Sequence, residues 1–157
     1  MDPIIGTIIL FAGDFPPRGW AFCNGQVLSI QSNTALFSIL GTYYGGNGQT
    51  TFALPDLRGR VPVGPGQGPG LSNYAPGQAG GVEAVTLLEA QIPAHAHTLQ
   101  AAPANASAGP SVVTAPAGGA QAVVTQAAGS HQPHENRQPF LALNYIIATE
   151  GVYPSRA

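Results

Sequence analysis

Apolar positions fall in short runs along the chain, and Gly or Pro closes almost every run. "IIGTIILFAG", with its apolar run from Ile4 to Ala12, is a strand candidate that ends in the turn cluster Gly13-Asp14-Phe15-Pro16-Pro17. "GWAFCNGQVLSI" carries apolar residues on both sides of Asn24-Gly25, which predicts a β-hairpin with a type I′ turn. "SNTALFSILGTYYGG" is the best helical pattern. Leu36, Phe37, Ile39 and Leu40 form an apolar stripe, Ser32 or Asn33 is placed to cap it, and Gly41 stops it. "TTFALPDLRGRVPVG" reads as a short strand, a Pro turn and another extended piece.

The pattern weakens beyond residue 62. Residues 63–81 are rich in Gly and Pro but contain Leu71 and Tyr74, which flexible linkers rarely need. An ordered loop, packed on its own module or on a neighbouring chain, is preferred over a linker. "EAVTL" is a short strand, and Pro93 ends any helical turn before it. From residue 90 to residue 134, 45 consecutive positions lack Asp, Glu, Lys and Arg. That tract is either a disordered linker or a set of thin extended strands that pair with other chains; Ala, Val and Thr without charge favour the second. The last block, "PFLALNYIIATEGVYP", predicts a buried strand that closes the fold and ends at Gly151.

These elements give a mainly β chain with one or two short helices. The expected divisions are a compact module at 1–64, a Gly/Pro-rich connection with a His-x-His strand at 65–99, an uncharged extended region at 100–134 and a closing strand at 135–157.

Composition narrows the function. Only 8% of the 157 residues are charged, against roughly 25% in typical globular proteins. There is no Lys, and the net charge is -2. Phosphate affinity needs clustered cations, so nucleic acid is not an expected partner. The apolar run at the start is too short and too broken to span a bilayer, and its flanks do not read as a signal peptide. Enzyme chemistry fits poorly. There is no Gly-x-Ser-x-Gly, the seven acids are scattered singly, and the single Cys23 lies in an apolar stretch. A phosphate loop that needs Lys is impossible.

Several residues remain candidates for special roles. Asp56 lies between Pro55 and Leu57, with Arg58 and Arg60 on either side of Gly59. That is a structural turn with an Asp56–Arg58 or Asp56–Arg60 ion pair, or else an anion or carbohydrate site at the two arginines. Trp20 and Phe22 alternate on one strand, as core or as a sugar platform, and Cys23 reads as a small buried hydrophobe. Trp20, Tyr43 and Tyr44 make a candidate ligand surface. His95 and His97 project from one face of a strand, as a pair of surface histidines or as metal ligands. His131 and His134, with Glu135 adjacent, read as a polar loop rather than a second metal site.

The stretch from about Ile4 to Gly64, with "GW-F-C-NGQ" and "LF-ILGT-YGG-G-TTFALPDLRGR", resembles the phage tail collar domain. "GGVEAVTLLEAQIPAHAH" and "NRQPFLALNYIIATEGVYPSR" resemble the microcystin-dependent protein group, which carries that domain at its N-terminus. The resemblance implies receptor-binding fibres built as intertwined homotrimers, with a metal held on the three-fold axis by His-x-His from each chain. One chain supplies only two imidazoles, too few for a closed tetrahedral site, whereas three chains supply six, enough for an octahedral Fe or Zn ion. The expected function is therefore non-enzymatic: a structural or adhesive protein of tail-fibre type that assembles with itself and binds a surface glycan or receptor, extracellular or on a virion. A subunit of an extracellular filament, joined head to tail by strand addition, is the alternative. A monomeric sugar-binding module using Trp20, Tyr43, Tyr44 and Arg58 is the third.

Overall fold

A computed structural model describes residues 2–93, 101–102, 113–114 and 132–155. Among these residues, nine short strands and one α-helix follow in chain order. They are β1 (Ile8–Phe11), β2 (Trp20–Phe22), β3 (Val27–Ser29), α1 (Thr34–Leu40), β4 (Thr51–Ala53), β5 (Ala84–Val85), β6 (Ala101–Ala102), β7 (Val113–Thr114), β8 (His134–Glu135) and β9 (Asn144–Ala148), with a 3-10 turn at Glu89–Gln91 between β5 and β6. The expected class, mainly β with a short helix, is what the chain forms.

Two compact units divide it: residues 1–81 with 137–157, and residues 82–136. In the first, β9 is the central strand of a three-stranded antiparallel sheet in the order β1-β9-β2. Chain positions more than 120 residues apart are thus zipped together, with Ile8 opposite Ile147 and Ala21 opposite the same residue on the other side. β3 and β4 form a second antiparallel pair. In the second unit, β5 pairs with β8 and β6 runs parallel to β7.

The core of the first unit gathers Ile5, Cys23, Leu36, Leu40, Phe52, Leu54 and Ile147. Helix α1 contributes Leu36 and Leu40, four residues apart and so on one face. Phe37 from its flank meets Phe52 of β4 with ring centroids 5.5 Å apart and tilted by 51°. Gly41 ends the helix as expected, with φ 53° and its N–H donating to Phe37 O at 2.8 Å. Asn33 occupies the N-cap position, but its side chain donates back to Ser29 O at 3.0 Å and makes no capping bond. Along β9 the side chains alternate, so Ile147 enters this core while Ile146 faces the other side of the sheet. There Ile146 lies between Ile9 and Phe22 in the ladder and is only 1% exposed.

Two sequence expectations are corrected. Asn24-Gly25 is not a hairpin turn, because β2 and β3 do not pair with each other. β2 pairs with β9, while β3 pairs with β4. Cys23 is where one continuous stretch changes partner: its N–H donates to Tyr145 O at 2.9 Å, and its carbonyl accepts from Leu57 N–H at 3.0 Å. The Asn24–Asp56 bridge then continues the β3–β4 register. Gly25, at φ 77°, supplies the bend in place of a reversal. The closing strand is also shorter than its apolar run. Phe140 and Leu141 before it are exposed, Leu141 by 83%, and only Asn144–Ala148 pairs.

The Gly/Pro-rich stretch up to residue 81 is ordered and lies on its own unit. Gly66 and Tyr74 exchange backbone bonds at 2.8 and 3.3 Å, and Gln78 closes a turn on Ala75 at 3.0 Å. Gly77, at φ 79°, lies so close to the Tyr43 carbonyl that a Cβ could not fit there.

Candidate functional site

Two tight loops and one cleft make up the chemistry of the first unit. The loop after β4 holds Asp56 and Arg58. The carboxylate accepts from Arg58 Nε at 2.9 Å, from Nη2 at 2.7 Å and from the Arg58 backbone N–H at 3.2 Å. This two-pronged grip holds the Asp56 carboxyl down to about 2, chiefly through the guanidinium hydrogen bond, and pushes the Arg58 guanidinium up in return. Both side chains remain exposed. Arg60, the other candidate partner of Asp56, instead reaches the Gly80 carbonyl at 3.4 Å, tying the loop to residue 80.

The second loop, "GGNGQTT", was not singled out from the sequence. Asn47 Oδ1 accepts three backbone N–H groups, from Gln49 at 3.0 Å and from Thr50 and Thr51 at 2.9 Å. Its Nδ2 donates to Thr50 Oγ1 at 2.9 Å. Asn between glycines, followed by Thr-Thr, is the signature that could have revealed it, since a short amide mimics a backbone turn there. This loop sets the entry of β4 into its ladder, so it is structural.

The cleft lies where the chain changes partner at Cys23. One wall comes from Phe22 and Asn24, a second from Leu57 and Arg58, and a third from Leu143 and Tyr145 at the start of β9. Its volume is about 180 Å³. Asn24 lines it, but its Oδ1 is closed off from solvent and has no hydrogen-bond partner among the described residues. Cys23 lies beside Asn24, and burial pushes its thiol up to about 11, so it stays protonated at neutral pH.

The remaining candidates are dispersed. Trp20 is half-buried in β2, opposite Ala148. Tyr43 and Tyr44 follow α1 on a separate loop, both exposed. His95, His97 and His131 lie outside the described residues. His134 is exposed on β8, in register with Val85. Among the described residues, no group of three His, Cys, Asp or Glu side chains is placed to hold a metal ion. No helix among them is long and apolar enough to cross a membrane.

Comparison with known proteins adds two findings. Residues 6–62 match the family described as Phage Tail Collar Domain, just over a third of the chain. The chain is also similar to the short tail fiber protein gp12 of Enterobacteria phage T4, at 39% identity over 70 residues. That match covers 44% of this chain and 13% of the relative.

Proposed function

We propose, from a chain whose residues 6–62 match the phage tail collar domain, that this protein is a structural component of tail-fibre type that works as an assembly of several copies. The collar match carries the reading. It covers both sides of the partner-changing strand, the helix and the Asp56–Arg58 loop, and residues 6–62 supply five of the seven residues of the first core.

Exposed apolar side chains support assembly. Among the described residues, 21 large hydrophobic side chains are exposed, whereas 10 hydrophobic residues are buried. An isolated chain leaves these in water, and neighbouring copies would cover them. A shortage of charge serves the same end, because an unpaired charge at such a contact is costly to bury. On this reading the protein is virion-associated or extracellular, acts without catalysis, and presents a surface to a receptor or glycan. His95 and His97 from three chains would hold a transition metal such as Fe or Zn on the axis.

One observation favours the open filament as the second reading. β1 is an edge strand of its sheet, uncharged, with Ile8, Ile9 and Leu10 all exposed. Such an edge accepts another strand readily. Multi-angle light scattering with electron microscopy separates the readings. Discrete particles of three chains are expected. Long fibres would establish the second reading, and a monomer at micromolar concentration would refute both. Elemental analysis of the assembled particle is expected to find about one metal ion per three chains, and its absence would remove the His95–His97 role.

A further inference from the structure

We propose that the free edge of β1 pairs with β1 of a second copy, antiparallel about a two-fold axis through Ile9. The pairing goes beyond both readings above: it needs no third chain, and it turns strand addition into a contact that closes. The backbone of β1 sets it up. Ala148 of β9 accepts from Gly6 N–H at 2.9 Å and donates to Thr7 O at 3.0 Å. Antiparallel pairs alternate between bonded and unbonded, so by register Ile9 and Phe11 bond to β9 while Ile8 and Leu10 turn their N–H and C=O groups outward. Among the described residues nothing else bonds to those outward groups.

The other outer strands of the first unit are blocked. Phe22 O of β2 accepts from Gln26 Nε2 at 3.3 Å, and Trp20 N–H donates to Pro17 O at 3.0 Å. Ser29 O of β3 accepts from Asn33 Nδ2 at 3.0 Å. On β4, Ala53 N–H donates to Gly45 O at 3.0 Å and Thr51 O accepts from Gly48 N–H at 2.9 Å. A head-to-tail addition of β1 therefore meets no open edge in the first unit of the next copy, whereas β1 meets its own equal. The register follows from using every outward group. Ile8 lies opposite Leu10 of the second copy and Leu10 opposite its Ile8, each pair exchanging both backbone bonds, and Ile9 faces itself. A two-fold axis would set any charge on the strand near its own copy. Residues 3–13 carry none, and Ile8, Ile9 and Leu10 are all exposed, so the two edges meet without repulsion and cover apolar surface. Four residues a side bury far less than the roughly 1,000 Å² of a stable interface, so the contact is weak and needs concentrated protein.

The test is oxidative cross-linking of the full chain at roughly millimolar concentration, the range a weak contact requires. Opposed residues of an unbonded pair lie about 4.5 Å apart at Cα, within reach of a disulfide. Ile9→Cys is therefore expected to give a band of twice the chain mass on a non-reducing gel. Ile8→Cys lies beyond about 7 Å from its own copy in this register and should cross-link at least about tenfold less. The parent, whose only thiol is the buried Cys23, sets the background. Adding Leu10→Pro to Ile9→Cys removes an outward N–H and leaves the β9 ladder its bonds, so the band should vanish. No band from Ile9→Cys would overturn the proposal, as would equal bands from Ile8→Cys and Ile9→Cys, which need no proline variant to be read. A band that survives Leu10→Pro in a chain with unchanged far-ultraviolet circular dichroism would overturn it too, and so would fibres in which Ile9→Cys stays unlinked, because another strand then holds the edge. Light scattering of the parent at micromolar concentration reads the larger assembly separately: a lone chain there that still cross-links through Ile9→Cys when concentrated sinks the assembly and leaves the pairing.

Discussion

Cys23 shows how much one residue's surroundings decide. Its thiol is held near 11 by burial, well above the unfolded value of about 8.5. Between those two values the unfolded chain loses a proton that the native chain keeps, so native stability falls as pH rises. Denaturant midpoints measured from pH 7 to pH 10.5 are expected to drop above about pH 8.5, and Cys23→Ala should flatten that limb. A thiol reagent at pH 8 should label the native chain slowly and the denatured chain at once.

Asp56 behaves with the opposite sign. Its folded value of about 2 lies below an unfolded value of about 3.9, so its contribution is present above pH 4 and is lost as pH falls toward 2. Because the pair is exposed, the effect is under about 1 kcal/mol. Asp56→Asn should lower stability slightly at neutral pH, and its difference from the parent should vanish as the pH falls toward 2. A loss of several kcal/mol at pH 7 would show that the loop does more than close a turn.

At the scale of elements, short strands are held by a few intolerant positions. Gly46 has φ 92° and lies against Phe52 Cα and the Thr51 carbonyl, so a Cβ there meets backbone that cannot yield. Gly46→Ala is expected to cost at least about 2 kcal/mol from strain and displacement of β4. Phe52→Ala removes a fully buried ring packed at a tilt against Phe37 and should cost about 3–5 kcal/mol. Gly64→Ala, whose Cβ would meet nothing within 4 Å, is the control and should melt like the parent. Equal melting of the Gly46 and Gly64 variants would contradict this account of β4.

Across the whole chain, the first unit depends on β9, which arrives last in sequence and sits between β1 and β2. Removing residues from 140 onward should therefore unfold β1 and β2 together, seen as joint loss of amide-exchange protection at Ile9 and Cys23. Retained protection at either strand would mean that the sheet does not need its centre. The exposed apolar surface makes a second expectation at this scale. Leu10→Lys, on the outer strand, should lower the mass of any strand-joined fibre and leave a closed three-chain particle intact.

The chain itself determined what depends on local chemistry. Helix α1 could be read with its stop at Gly41, because periodicity and a left-handed glycine act over a few residues. The Asp56–Arg58 pair was one of two legible options, since two residues of separation suffice for the contact. The β class followed from Gly, Pro and β-branched runs, and the collar motifs pointed to the family. What only the tertiary structure decided is pairing between distant segments. Asn24-Gly25 has the local signature of a hairpin, yet Tyr145 and Leu57 compete for the same backbone and win. Long-range hydrogen bonds and the burial of Ile147 outweigh a turn preference of about 1 kcal/mol. The cleft and the orphaned Asn24 oxygen arise from that competition, so no local pattern could announce them.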